Sequence, residues 1–359
     1  MRTAVVLVTG VAPDAMAAAQ LSLLWDLPDA VAVRHHIDLD RGVLERVVSD
    51  LTGVVEHVEV ELEHACVSCA LREDVLPTLD RLARDGRWRS VVAQLPVGAE
   101  ADQVCGVLAR DPRLARRLRL AAVVTALPDA TLVDDLLGDE TLAERGLATS
   151  HDDERGVGEV ACSMVEFADV VVTTGAVGTP TGPELLRALA RPDVPVVRGA
   201  DLLAGSDLVA RPPHQHSRSR AWASHVRELP LPVPGSADVW TLELVSDRPF
   251  HPERLLDGLE SLALGRHRTR GCFWLPTRPG RALLWEGAGG QLSIGDGEPW
   301  GDRVPRTQLA FTGTGEPPLH LATAFEGLLV PRAAFGRGIG WHQAEDGFEP
   351  WLGPVRDVA

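Results

Sequence analysis

The chain has 359 residues, 45% of them hydrophobic, which is enough for two domains with sizeable cores. Its 51 acidic residues outnumber its 35 basic ones, and the net charge of -16 disfavours broad binding to nucleic-acid phosphates. The sequence contains no Lys, Tyr or Asn, so every cation is Arg or a protonated His. Schiff-base enzymes and Walker-type nucleotide hydrolysis, which need a lysine ammonium, are thereby excluded.

The N-terminus and the cysteines indicate the compartment. The apolar run Ala4–Val8 is far shorter than a secretory signal, and no stretch approaches the roughly 20 apolar residues that span a bilayer. The cysteines are few, odd in number and unevenly spaced, which is not typical of a disulfide framework: Cys66, Cys69, Cys105, Cys162 and Cys272. We therefore expect a cytoplasmic protein with reduced thiols and no membrane partner.

The first two hundred residues alternate between short apolar runs and helical patterns. The runs predict buried strands at Ala4–Val8, Val31–Ile37, Val54–Leu62, Ser90–Leu95, Leu120–Thr125, Val170–Thr174 and Pro195–Val197. Between them, helices are predicted at Ala15–Trp25, Gly42–Leu51, Arg72–Arg84, Glu159–Phe167 and Pro183–Ala190. Such alternation predicts an α/β fold with a mostly parallel sheet flanked by helices and with ligand sites at the carboxyl ends of its strands.

The pattern changes near residue 204. Residues 205–236 are rich in Pro, Ser, Arg and His and predict an exposed linker. In it, His214 and His216 could form a loose metal-capture tract, but exposed linker histidines are more often solvated, and that is the expectation here. Beyond it, strands are predicted at Val239–Val245, Cys272–Leu275, Ala282–Glu286, Gln291–Ile294 and Gln308–Thr312, with helices at Pro252–Leu262 and Leu319–Leu329. We therefore expect a first domain over 1–204, a linker over 205–236 and a smaller α+β domain over 237–359.

The segment "EHACVSCALRED" carries the clearest chemical signal. Cys66 and Cys69 lie between a predicted strand and a predicted helix, and two thiolates at this spacing can chelate one soft metal ion. The helix N-terminus should lower the thiol pKa values. Zinc needs further ligands, for which His64, His35, His36 and His57 are candidates. A redox dithiol and a pair of core cysteines that cap the helix remain open alternatives. Cys105, Cys162 and Cys272 lie in apolar patterns and are expected to be small buried hydrophobes.

The loop after the first strand occupies the position of a phosphate-binding loop. It reads "TGVAPDAMAAAQL", with Gly10 as its one glycine, an Asp where phosphate would approach, and no Lys. A working phosphate loop needs several glycines, a Lys and a Ser or Thr for magnesium. A plain strand–helix turn is predicted, and GTP and magnesium are not expected as cofactors.

Several motifs resemble those of a known family, the CobW-like P-loop GTPases, which are metallochaperone GTPases. "HACVSCALREDVL" is similar to the family's Gly-Cys-x-Cys-Cys segment, with Ser68 in place of the middle cysteine. "FADVVVTTGAV" resembles the segment that ends in the guanine-reading Asn-Lys-x-Asp, and "AAVVTALPDA" the strand that ends in Asp-Ala. "DRPFHPERL", "RTRGCFWLPTRPGRALLWEGAGGQLSI" and "EDGFEPW" resemble the family's C-terminal domain.

Within that family, the degraded phosphate loop and His-x-Cys-Val-Ser-Cys resemble mycobacterial-type proteins that recruit a ribosome hibernation factor. The resemblance implies a P-loop-GTPase-like first domain, a CobW C-terminal domain, and zinc bound by Cys66, Cys69 and His64. It also implies a zinc-responsive adaptor that brings a hibernation factor to the ribosome when zinc is scarce. The alternatives are a zinc metallochaperone that supplies a client protein, a residual GTP-binding protein and a dithiol redox protein.

The sequence departs from the family pattern at the positions that bind the nucleotide. Gln94 stands where the family usually has a Glu, and Thr173, Thr174, Gly175 and Ala176 replace the guanine-reading motif. Phosphoryl transfer depends almost entirely on positioning and electrostatics, so we expect no GTP hydrolysis and no catalytic residue.

Overall fold

The structure is a computed structural model that describes residues 2–61, 66–335 and 345–355. Its first sheet contains β1 (Thr3–Thr9), β2 (Ala30–Asp38), β3 (Val43–Asp50), β4 (Gly53–Glu61), β5 (Ser90–Gln94), β6 (Leu118–Pro128), β7 (Val170–Thr174) and β8 (Val196–Arg198). Within the described ranges these eight strands lie in the order β4-β3-β2-β5-β1-β6-β7-β8. All neighbouring pairs are parallel except β2–β3 and β3–β4.

Helices cover this sheet and the second domain. They are α1 (Pro13–Asp26), α2 (Val67–Ala70), α3 (Leu76–Asp85), α4 (Ala101–Arg110), α5 (Pro112–Arg117), α6 (Leu132–Leu137), α7 (Val157–Phe167), α8 (Thr181–Leu189), α9 (Gly205–Ala210), α10 (His216–Ala223), α11 (Pro252–Gly258), α12 (Glu260–Ala263), α13 (His320–Leu328), α14 (Arg332–Phe335) and α15 (Glu349–Leu352). A π-helical turn, Leu71–Val75, joins α2 to α3, and a 3₁₀ turn covers Ala200–Leu202.

The predicted fold class is confirmed. β1 and β5 are buried along their whole length, which is why they read as continuous apolar runs in the sequence. Apolar side chains on the two faces of the sheet form separate cores with the flanking helices.

The predicted helix Gly42–Leu51 is wrong, because this segment is the strand β3. Its buried side chains, Leu44 and Val48, are four residues apart, a spacing that one face of a helix and one face of a strand both allow. Long-range pairing with β2 and β4 decides in favour of the strand, and its Val residues suit a pleated surface.

The second domain is built on an antiparallel sheet of β9 (Val239–Ser246), β10 (His267–Phe273), β11 (Arg281–Ala288), β12 (Gln291–Pro299) and β13 (Thr307–Thr314). The strand order is β12-β11-β10-β13-β9 among the described residues. Phe250, Phe273, Trp285 and Phe311 lie in its core, packed against α11–α13. The domain limits 1–204, 205–236 and 237–359 stay predictions, although α9 and α10 give the proposed linker local structure.

The two sheets meet through a buried network of charges. Glu166 on α7 accepts hydrogen bonds from Arg268 (3.1 Å) and Arg270 (2.9 Å) on β10. Arg268 also bonds to Glu286, which in turn contacts His225. Burial alone would raise the pKa of Glu286, but the Arg268 and His225 charges hold it well below its usual range. The network ties the C-terminal sheet to the helix layer of the first domain.

In the ranges that the structure describes, none of the helices combines the length and the apolar character that crossing a bilayer requires.

Candidate metal centre

Cys66 and Cys69 lie at the first turn of the helix that follows β4. Cys66 has an extended backbone and is the N-cap residue of α2, where its Sγ accepts a hydrogen bond from the Cys69 backbone N–H at 3.5 Å. The Cys66 side chain is half-buried and Cys69 is buried. The sequence-predicted pair is therefore brought together at the carboxyl edge of the first sheet.

The pKa of one thiol in the pair differs from the expectation that the helix N-terminus lowers it. The pKa of the Cys69 thiol is raised rather than lowered, chiefly by its hydrogen bond with Cys66 and then by burial. The helical N-terminus beside the pair, which continues from α2 through the π-helical turn into α3, does not outweigh these effects at Cys69. A metal ion bound by Cys69 displaces its thiol proton, so binding releases a proton.

The histidines that were candidates for further ligands lie elsewhere. His64 lies outside the described residues. His35 Nε2 is 3.0 Å from Asp74 Oδ1, His57 Nε2 is 2.8 Å from Glu45 Oε1, and His36 points away from the core as an exposed side chain. Over 2–61, 66–335 and 345–355, no His, Cys, Asp or Glu joins both thiols in a group whose ligand atoms all lie within 4.8 Å of one another.

The helix that carries the pair is anchored by Asp74. The π-helical turn Leu71–Val75 directs Asp74 inward, where it contacts both His35 and Arg46. Burial would raise the pKa of Asp74, but the hydrogen bond and charge of His35 and the charge of Arg46 lower it. Asp74 thus holds the cysteine helix against β2 and β3.

Cys66 faces an acidic cleft of about 550 Å³. Glu100, Asp153 and Glu159 line it, together with Arg155. Burial, followed by the Glu286 charge, raises the pKa of Glu159 to about 7, and burial also raises that of Glu100. A cleft of this composition attracts cations towards Cys66.

The loop after β1 is closed by packing. Counting the phosphate-loop pattern from Gly10 places Ala15, Met16 and Ala17 where Gly, Lys and Ser or Thr are required. Met16 is fully buried. A Cβ built on Gly10 would lie 2.4 Å from the Ala126 carbonyl oxygen and 2.8 Å from Met16 Cγ. Gly10 is therefore packed against β6 and against Met16 of α1, and a larger residue would not fit at this position.

The remaining nucleotide positions carry uncharged side chains. Gln94, at the end of β5, is buried, and its Oε1 has no hydrogen-bond partner among the described residues. Thr173 and Thr174 end β7, and Gly175 follows with a φ of 82°, a left-handed conformation that favours glycine. Residues 173–176, all within the described chain, therefore carry no carboxylate for reading guanine.

The structure brings together a second group that the sequence did not predict. Ligand atoms of Cys105, His214 and His216 all lie within 4.8 Å of one another, on residues from α4 and from the start of α10. The expectation of solvated histidines is wrong, because the His214 side chain is only 1% exposed and His216 only 20%. The His-x-His spacing was visible in the sequence, but only the tertiary fold supplies Cys105.

The fold and this site define a two-domain α/β protein in which a Cys-x-x-Cys helix follows a strand of a P-loop-type sheet. Comparison with known proteins agrees with that description. Residues 239–329 match the family described as "Cobalamin synthesis protein cobW C-terminal domain".

Among curated proteins, a zinc chaperone of Mycobacterium tuberculosis is 29% identical over 299 residues, covering 78% of this chain and 70% of that protein. A zinc-regulated GTPase metalloprotein activator of Dictyostelium discoideum is 23% identical over 257 residues, covering 66% of this chain and 53% of that protein. Among solved structures, the Zn(II)-bound YjiA GTPase of E. coli is 19% identical with a TM-score of 0.36, covering 91% of this chain and 99% of that one. The match over the C-terminal domain and these zinc-related relatives support a likeness of the chain to the CobW-like P-loop GTPase family of metallochaperones.

Proposed function

We propose that this chain is a zinc metallochaperone-type protein that binds zinc at Cys66 and Cys69 and passes it to a client protein, without hydrolysing GTP. The observation that carries the proposal is the Cys66/Cys69 pair, of which the half-buried Cys66 lines the acidic cleft. Carboxylates concentrate zinc near the thiols, and the partly exposed Cys66 is accessible to ligands of an acceptor. His64 is proposed as the third ligand, and the cytoplasm, where thiols stay reduced, as the compartment.

The relatives support the zinc part of this proposal. The mycobacterial relative is named a zinc chaperone, and the Dictyostelium relative a zinc-regulated metalloprotein activator. Both names connect these relatives with zinc.

The closed loop after β1 supports the proposal that GTP is not turned over. A phosphate loop binds through backbone N–H groups, a Lys and a Mg²⁺-binding hydroxyl. Here Met16 packs against Gly10, and Asp14 puts a negative charge in the first turn of α1. We therefore expect no GTP- or magnesium-dependent step in zinc release.

The site is tested by competition with a chromophoric zinc chelator, using the full-length chain. The variant Cys66→Ser/Cys69→Ser should lower zinc affinity by about 100-fold or more, which corresponds to ~3 kcal/mol. Ser68→Ala, on the same helix, is the matched control and should retain zinc. His64→Ala should weaken binding, whereas His57→Ala should not. A double-cysteine variant that binds as many equivalents of zinc as the wild type, with the same affinities, would refute the site.

Delivery is tested separately, by transfer to a metal-free enzyme whose activity needs zinc. Direct transfer gives a rate that rises with acceptor concentration, whereas release into solution gives a rate that does not. Adding GTP and magnesium should leave the transfer rate unchanged.

The zinc-responsive adaptor for a ribosome hibernation factor is the second candidate. The observation in its favour is His-x-Cys-Val-Ser-Cys at residues 64–69. Co-sedimentation with ribosomes from zinc-replete and zinc-starved cells distinguishes the two. Association only on starvation, lost or made zinc-independent in Cys66→Ser/Cys69→Ser, would favour the adaptor, and its absence under both conditions favours the metallochaperone.

A further inference from the structure

We propose that Cys105, His214 and His216 form a second divalent-metal site, separate from the Cys66/Cys69 pair and selective for zinc-like ions. Their ligand atoms lie within 4.8 Å of one another. Around a tetrahedral zinc with bonds of 2.0–2.3 Å, ligand atoms are roughly 3.3–3.8 Å apart, so a contraction of about 1 Å closes the cluster. One thiol and two imidazoles form a donor set that suits zinc and its spectroscopic substitute, cobalt.

A carboxylate fixes the orientation of the His214 ring, as is common for histidines that bind metal ions. Its Nδ1 lies 2.7 Å from Asp169 Oδ2, and Asp169 is itself held by the Val123 backbone N–H at 2.9 Å and by Arg191 at 3.3 Å. An Nδ1–H that donates to the carboxylate leaves Nε2 with a free lone pair. That Nε2 is buried and has no hydrogen-bond partner among the described residues. A buried, unpartnered acceptor that faces a thiol calls for a ligand.

His216 supplies the second imidazole. Its Nδ1 is buried without a hydrogen-bond partner in the described chain, 3.8 Å from Asp102 Oδ1. Burial, with repulsion from the neighbouring His214, Arg220 and Arg110, lowers the pKa of His216 despite the Asp102 charge. The imidazole therefore stays neutral, which is the form that binds metal ions.

Cys105 supplies the sulfur from α4. Burial and the charges of Asp169 and Asp102 raise the pKa of its thiol well above the usual range. Metal binding forms a metal–sulfur bond and releases the thiol proton to solvent. The ring of Phe167 lies 5.5 Å from that of His214 and 6.0 Å from that of His216, and it closes one side of the cluster.

The fourth position faces solvent. His216 and Asp102 line a cleft of about 850 Å³, and Asp102 Oδ1 is buried without a hydrogen-bond partner in the described residues. Asp102 or a water from the cleft completes four-coordination. An ion at this site would link α10 to α4. It would therefore hold the segment that connects the two domains against the first domain.

The test is a titration of the full-length Cys66→Ser/Cys69→Ser variant with Co²⁺ alone. We expect one equivalent of bound Co²⁺ with thiolate-to-cobalt charge-transfer absorption. Adding Cys105→Ser should abolish that absorption, and adding His216→Ala should weaken binding at least tenfold. His320→Ala, at an exposed histidine, is the matched control.

Asp169→Asn guards against a folding artefact of Cys105→Ser. It should weaken Co²⁺ binding about 10- to 100-fold while the charge-transfer absorption persists at saturation, because the ligands remain and only the orientation of His214 is lost. The proposal is overturned if the double-cysteine variant binds no Co²⁺, or if Cys105→Ser leaves its absorption unchanged. The Cys66/Cys69 site is tested separately in the single variant Cys105→Ser, in which that pair is intact. If this variant binds no Co²⁺, the Cys66/Cys69 site fails and the second site is unaffected.

Discussion

The loop after β1 and the helix after β4 lie at the same edge of one sheet, yet they are built in opposite ways. In the β1 loop, Gly10 is packed against Met16 and the Ala126 carbonyl, and the buried Met16 stands where a phosphate loop needs Lys. The helix after β4 keeps Cys66 half-exposed beside an acidic cleft. The contrast teaches that one scaffold can bury an apolar side chain at the position of the phosphate-loop lysine while a separate thiol site keeps one accessible cysteine.

The largest expected effect comes from restoring the phosphate-loop lysine. Met16→Lys buries an ammonium in the apolar core beneath α1, so we expect a loss of more than about 3 kcal/mol in the free energy of unfolding. Urea denaturation measures it, with Leu21→Lys, at an exposed position of the same helix, as the control. Equal small effects in both variants would mean that the loop is open.

Asp74→Asn tests the anchor of the cysteine helix. An amide cannot accept from both His35 and Arg46 as the carboxylate does, so we expect a loss of about 2–3 kcal/mol in unfolding free energy. Because the pKa of Asp74 is lowered in the folded state, its contribution is present at neutral pH and lost as the pH falls through the folded pKa. The variant should lack this acid-dependent loss, whereas Asp85→Asn, at the exposed end of α3, should retain it.

Glu159, in the acidic cleft, should make folding stability depend on pH in the direction opposite to Asp74. Its folded pKa of about 7 exceeds the ordinary value of 4.5, so the folded state binds the extra proton. Stability should therefore be highest below about pH 4.5 for this group and fall by about 3 kcal/mol as the pH rises towards 7. Denaturation across this range should show a flatter profile for Glu159→Gln than for wild type or the exposed-site control Glu154→Gln. Identical profiles in all three would contradict a buried carboxyl at the cleft.

Ser68→Cys has the smallest expected effect. It tests whether the accessible helix after β4 binds zinc through its thiols. Ser68 is exposed, so the unfolding free energy should change by less than ~0.5 kcal/mol. A third thiolate beside Cys66 and Cys69 should raise zinc affinity about tenfold, or ~1.4 kcal/mol. Chelator competition measures the gain, with Ser68→Ala as the reference.

The sequence predicted the parts of this molecule that depend on local pattern. Continuous apolar runs predicted β1, β5 and β7, and the Cys-x-x-Cys spacing predicted a thiol pair at a helix start. The pattern failed for β3, where buried residues four apart fit two kinds of element and long-range pairing decided.

Contacts between distant segments could not be predicted from the sequence. Cys105 and His214 are 109 positions apart, and neither has a local signal that points to the other. The same holds for Glu166 and Arg268, which are 102 positions apart. Each residue looks ordinary in its own segment, and only the packed fold gives it a partner.

The buried charges of Glu166, Arg268 and Arg270 have a consequence for how this protein can be divided. A first domain joined to a C-terminal domain without these arginines would bury Glu166 without its cations, and this C-terminal domain joined to a first domain without Glu166 would bury two arginines with one anion, Glu286, between them. Uncompensated buried charge costs several kcal/mol, so the halves are not interchangeable modules. Any swap of the C-terminal domain between relatives would have to carry the matching glutamate on α7, and heating should melt both domains in a single transition.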